Sequence, residues 1–263
     1  MSRIRQTFEK AAGKPRFIAY ICALDPDAAT SLEVCRTLIK AGVDIIELGV
    51  PFSDPLADGK TNQLAAERAL AAGATPDQVL DLVRSIRSFS EVPVVLYTYY
   101  NLVYNKGVEN YVAAAQNAGV DGILVLDLPP EESDEMTTAC KNHGIDQIFL
   151  IAPTTPESRI PLITRNASGF IYYVSREGVT GERSDVAKDL ATRVAAIRKT
   201  TDLPIGIGFG ISNADQVRQV ALHGDAVIVG SSIVKIVEQH ASDPNTMLAT
   251  LEAKVRSLLE GLQ

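Results

Sequence analysis

Glu47 sits inside the apolar run Val43-Asp44-Ile45-Ile46-Glu47-Leu48-Gly49. Alternate residues of an extended chain share a face, so Glu47 falls on the side of Val43 and Ile45, the side expected to face the interior. A carboxylate there is costly without a partner, and desolvation raises its pKa toward the range where a proton donor or acceptor works near neutrality. The other reading is a Glu paired with an internal cation. No Lys or Arg lies inside any of the apolar runs, which favours chemistry. The loop that follows, Val50 to Gly59, holds two prolines and two aspartates, so it is stiff and shaped. Within it Asp58 either marks a plain Asp-Gly turn or faces Glu47 across a pocket, where paired carboxylates in unlike surroundings divide acid and base roles.

A second kind of chemistry is suggested by glycines. Gly208-Phe209-Gly210-Ile211-Ser212-Asn213 and Gly230-Ser231-Ser232 each follow an apolar run and lead into a helical pattern, and Gly178-Val179-Thr180-Gly181 lies in a long loop before them. Glycines let backbone N–H groups approach an anion, and a helix start adds unpaired donors, so together these segments match a phosphate cradle. Other motifs fail on spacing. Gly59-Lys60-Thr61 lacks the earlier glycine of a P-loop, and Gly206, Gly208 and Gly210 do not fit GxGxxG. His143, His223 and His240 show no metal-ligand spacing. A Schiff-base lysine is absent from the apolar runs, leaving only Lys60 in a loop.

These residues need a scaffold. Eight short apolar runs recur: Phe17 to Ala23, Val43 to Gly49, Pro93 to Tyr99, Asp121 to Asp127, Gln147 to Ile151, Gly169 to Ser175, Pro204 to Gly208 and Asp225 to Gly230. Between them, segments such as Ala28 to Ala41, Pro76 to Ser88, Val108 to Ala118 and Asp185 to Lys199 carry apolar residues at helical spacing. This alternation predicts an α/β fold of the (β/α)8 TIM-barrel type, a closed parallel sheet ringed by helices. Extra length collects after the second and sixth runs, where a barrel builds its active face, and reads either as a lid or, for the first, as an added helix over Gln63 to Ala72.

The chain has 263 residues, 46% hydrophobic and 22% charged, enough for a large core. No linker-like stretch divides it, so residues 1–263 are expected to form one domain, with residues 1–16 as a helix capping the barrel bottom. The net charge of -7 argues against nucleic acid or an anionic membrane as principal partner. Cys22, Cys35 and Cys140 have neither zinc nor disulfide spacing, and the N-terminus lacks a signal-peptide run, so a cytoplasmic location is expected.

The string ELGVPFSDPLADG, from Glu47 to Gly59, resembles the signature of the tryptophan synthase alpha chain family. The similarity continues through Asn101-Leu102-Val103-Tyr104-Asn105, Asp127-Leu128-Pro129, Ser175-Arg176, the segments at Gly178, Gly208 and Gly230, and Ile233-Val234-Lys235. The resemblance implies a lyase that cleaves indole-3-glycerol phosphate to indole and glyceraldehyde 3-phosphate, with no metal or organic cofactor. By that resemblance Glu47 moves protons and Asp58 accepts the indole N–H. Gly181, Gly210, Gly230 and Ser231 hold the phosphate. Tyr20, Leu124, Leu150, Tyr172 and Phe209 line the indole pocket, and Thr180 closes a lid over Asp58. Asp127 also matches a family position, as support. The resemblance further implies a pyridoxal-phosphate beta chain as partner in an α2β2 tetramer, contacted by residues 51–58 and 101–106. Two departures stand out: Lys60 replaces the usual Pro after Asp-Gly, and Tyr97 occupies a pocket position that is commonly Leu. Another phosphosugar barrel enzyme, or a weakened chain that chiefly activates a beta partner, are the competing readings.

Overall fold

Strands without polar alternation must be covered on both faces, which a barrel achieves with side chains inside and helices outside. The structure, a computed structural model, describes residues 2–175, 183–208 and 210–263, with residues 183–189 described in backbone alone. Among the described residues the strands are β1 (Arg16–Cys22), β2 (Ile45–Gly49), β3 (Val94–Thr98), β4 (Gly122–Val125), β5 (Asp146–Ile151), β6 (Ile171–Val174), β7 (Ile205–Gly208) and β8 (Ala226–Val229). Each pairs in parallel with the next, and β8 pairs with β1, closing the TIM barrel.

The helices are α1 (Arg3–Glu9), α2 (Ala28–Ala41), α3 (Lys60–Ala71), α4 (Pro76–Arg87), α5 (Tyr100–Lys106), α6 (Val108–Ala118), α7 (Asp134–His143), α8 (Ile160–Asn166), α9 (Arg183–Arg198), α10 (Ala214–Ala221), α11 (Ser231–Gln239) and α12 (Pro244–Leu259). Their starts obey local rules. Asp27 caps α2 by accepting from Thr30 N, and Thr75 with Gln78 forms a capping box ahead of Pro76 in α4. The added length after β2 is the helix α3, which starts at Lys60 rather than Gln63. The extra length after β6 falls largely on residues 176–182, outside the described residues.

Several strands begin later than the apolar runs suggest, because an aspartate takes over the first ladder position. Asp44 accepts from Phe17 N (2.8 Å), Asp121 from Val94 N (2.8 Å) and Asp225 from Ile205 N (2.8 Å). Each also meets an arginine: Arg16 with Asp44, Arg87 and Arg3 with Asp121, Arg198 with Asp225. These three carboxylates at this end of the barrel are therefore held in structural pairs, whereas Asp146, at the start of β5, has a buried Oδ2 without a partner among the described residues. Above them Ile18, Ile45, Val95, Leu124, Ile148, Phe170 and Ile228 fill the interior. From below, α1 inserts Ile4, which is fully buried, and sets Phe8 against Phe170 at 6.1 Å between ring centres. The bottom plug is thus the short helix Arg3–Glu9, not a helix over residues 1–16, and residues 10–15 turn the chain into β1.

Candidate active site

The alternation that places Ile45 in the barrel interior places Glu47 one layer higher, beside Tyr20 of β1 and Val95 of β3 in the sheet register. Glu47 is 0% exposed, and neither carboxyl oxygen has a hydrogen-bond partner among the described residues. Burial, with the nearby charge of Asp58 adding to it, pushes its pKa up to about 8. The reading of an internally paired Glu fails here. Arg16, the arginine that does start a strand, is spent on Asp44 at the opposite end.

Asp58 lies at the end of the loop after β2, where Asp58 N donates to Pro55 O and Gln63 Nε2 donates to Asp58 O. Its carboxylate accepts from Tyr99 Oη on Oδ2 (2.8 Å), and from Tyr97 Oη (3.1 Å) and Asn62 Nδ2 (3.3 Å) on Oδ1. Tyr99 is fixed by stacking on Phe52 and by accepting from Ala57 N. Burial raises the Asp58 pKa, opposed by these three donors, while Glu47 faces burial with no donor at all. The two carboxyls are thus differentiated: Glu47 is biased to hold the proton, Asp58 to stay ionised.

A cavity of about 510 Å³ opens beside them, bordered by Asp58, Tyr20, Leu150, Tyr172, Gly210, Gly230 and Ser231 among others. Its shape depends on missing side chains. A Cβ on Gly49 would lie 2.4 Å from Tyr20 Oη, and one on Gly208 would lie 2.5 Å from Tyr172 Oη, so these glycines let both rings cross the barrel mouth. On the far side Gly210 takes φ +32 with open space around its Cβ position. At α11 the amides of Ile233 and Val234 both return to Gly230 O, leaving those of Ser231 and Ser232 without an intrahelical acceptor. Ser232 Oγ donates to Ile211 O at 2.9 Å and so ties this helix start to the loop after β7. The arrangement presents an apolar slot and an anion-facing helix start in one space, while Glu47 does not itself border it and acts electrostatically on three rings that do, Tyr20, Tyr97 and Tyr172.

Most of the expected residues converge. Leu124 does not border the cavity: it is 1% exposed and packs one layer down, and Leu126 takes the bordering position. Thr180, Gly181 and Phe209 lie outside the described residues. Asp127 accepts from Tyr100 N (2.7 Å) and so starts α5, a supporting role. Tyr99, Asn62 and Leu126 were not singled out by the sequence. Their signal is weak, since each lies beyond a strand end and reaches the site through a fold contact.

A closed barrel with a buried acid at one strand end and free amides at the helix start after β8 has the form of an enzyme acting on a small phosphorylated substrate. The profile of the tryptophan synthase alpha chain family matches residues 7–263. A tryptophan synthase alpha chain from Opitutus terrae is 56% identical over 263 residues, covering 99% of each chain, and one from Methanoregula boonei is 49% identical over 248 residues, covering 94% of this chain and 93% of its own. The solved tryptophan synthase alpha subunit of Legionella pneumophila superposes with a TM-score of 0.90 at 35% identity, covering 100% of this chain and 98% of its own. The chain belongs to the tryptophan synthase alpha chain family, lyases of tryptophan biosynthesis that cleave indole-3-glycerol phosphate.

Proposed function

We propose that this chain splits indole-3-glycerol phosphate by a retro-aldol reaction in which Glu47 is the proton carrier and Asp58 the charge-stabilising acceptor. Protonated Glu47 gives its proton to C3 of the indole, and Asp58 accepts the ring N–H and stabilises the resulting cation. The Glu47 carboxylate then takes the proton of the glycerol hydroxyl next to the ring. The carbon-carbon bond breaks, its electron pair returns to the ring, and indole and the aldehyde separate with Glu47 reprotonated. Tyr20, Leu126, Leu150, Tyr172 and Phe209 form the indole pocket in this reading, with Leu126 in the place the resemblance gave to Leu124. Amides at Gly181, Gly210, Gly230 and Ser231 hold the phosphate, and Thr180 closes over Asp58 to exclude water.

The observation that carries the reading is Glu47 itself, fully buried, with no partner on either oxygen among the described residues and a pKa raised to about 8. The test is incubation of the purified chain with indole-3-glycerol phosphate, alone and with its beta chain. Equal amounts of indole and glyceraldehyde 3-phosphate are expected, and absence of indole under both conditions contradicts the reading.

The family works with a beta chain, and we place its contact on the loop before Asp58 and on α5, where Leu56 is 93% and Tyr104 is 69% exposed. An α2β2 assembly, one domain over residues 1–263 and a cytoplasmic site of action complete the proposal. The free, buried cysteines accord with a reducing compartment.

A further inference from the structure

We infer that Tyr97, standing where the family resemblance leads one to expect Leu, is a positioning residue that fixes which oxygen of Asp58 receives the substrate. A carboxylate offers about four lone-pair directions, two on each oxygen. Tyr97 Oη (3.1 Å) and Asn62 Nδ2 (3.3 Å) both fall on Oδ1, and Tyr99 Oη (2.8 Å) takes one direction on Oδ2. Among the described residues one direction remains, on Oδ2. The ring N–H of the indole therefore lands on Oδ2, and the carboxylate plane is held by donors from both β3 and α3 before substrate arrives.

Tyr97 is well placed for this. Its ring packs edge-on against Tyr20 at 5.0 Å between centres, which confines the hydroxyl, and it borders the cavity rather than crossing it. Among the described residues the groups facing Asp58 are Glu47 from β2, Tyr20 and Cys22 from β1, Tyr97 and Tyr99 from β3 and its end, Lys60 and Asn62 from α3, and Tyr172 from β6. The tyrosines and the thiol are neutral in the working range, and Lys60 is the one cation bordering the cavity among the described residues. Removing the Tyr97 hydroxyl takes away a donor that favours ionised Asp58.

The inference rests on the reading that Asp58 accepts the ring N–H, and two readouts keep the two apart. In protein carrying 13C-labelled aspartate carboxyls, with the Asp58 signal assigned by its loss in Asp58→Asn, the titration midpoint of Asp58 is expected to be higher in Tyr97→Phe than in the parent chain. Tyr97→Leu, which also removes the ring, is expected to move it the same way. In indole release, kcat/KM of Tyr97→Phe should fall about tenfold near neutrality, with the acid limb of its pH profile displaced upward and the alkaline limb in place. An Asp58 midpoint that stays put in both variants overturns the role of Tyr97. A parent chain that releases no indole overturns the proposed function, while the titration still decides whether Tyr97 sets the state of Asp58.

Discussion

At Glu47 burial and the charge of Asp58 act in the same direction, and the carboxyl keeps its proton in the folded chain to about pH 8. A folded-state pKa above the unfolded one gives a contribution to stability that is fully present below the unfolded pKa of about 4.3 and is lost as pH rises through about 8. The parent chain should therefore lose more of its urea stability between pH 5 and pH 9 than Glu47→Gln does, by roughly 2–4 kcal/mol. Parallel losses in the two proteins would show that Glu47 is not held neutral by the fold. Glu47 was legible in the sequence because strand alternation settles which way it points. The network on Asp58 was not, since Tyr97 and Tyr99 reach it from a different strand, and no local pattern reports on such a contact.

At the scale of elements, the active face depends on what β2 and β7 leave out at their last positions. Tyr20 lies over Gly49 and Tyr172 over Gly208, with ring carbons as well as hydroxyls inside normal contact distance of a built Cβ. Gly208→Ala is expected to displace Tyr172 into the cavity, costing about 1–3 kcal/mol in unfolding and raising KM for indole-3-glycerol phosphate. Unchanged KM and stability would mean that the ring has room to yield. Arg68 of α3 meets Asp25 after β1 through two bonds of 2.9 and 2.8 Å, and Asp25 is 3% exposed. Arg68→Ala leaves that carboxylate without its counterion, and a loss of about 3 kcal/mol is expected in chemical denaturation; a loss near zero would show that water replaces the arginine. The order of strands and helices was legible from apolar runs and helical spacing. Their edges were less so, because Asp44, Asp121 and Asp225 replace ladder bonds with side-chain bonds, and α3 starts at Lys60 without a side-chain cap to announce it.

For the molecule as a whole, the two ends of the barrel use charge differently. At the bottom, Asp44, Asp121 and Asp225 meet arginines and strand amides, and α1 seals the interior with Ile4. At the top, among the described residues, Glu47 has no partner and Asp58, which borders the cavity, has neutral donors in place of a cation, so neither carboxyl is neutralised by an ion pair. The same end exposes Leu56 and Tyr104, whereas Leu222, 78% exposed, follows α10. Leu56→Asp should weaken binding of the beta chain at least about tenfold, with Leu222→Asp close to the parent chain in the same titration; equal affinities for both would remove the proposed contact. The central claim is that the buried carboxyl of Glu47 carries the proton. Its most direct test is the rate of indole release by Glu47→Gln with the beta chain present: a loss of about 100- to 10,000-fold in a folded protein is predicted, and a rate near that of the parent chain would contradict the account.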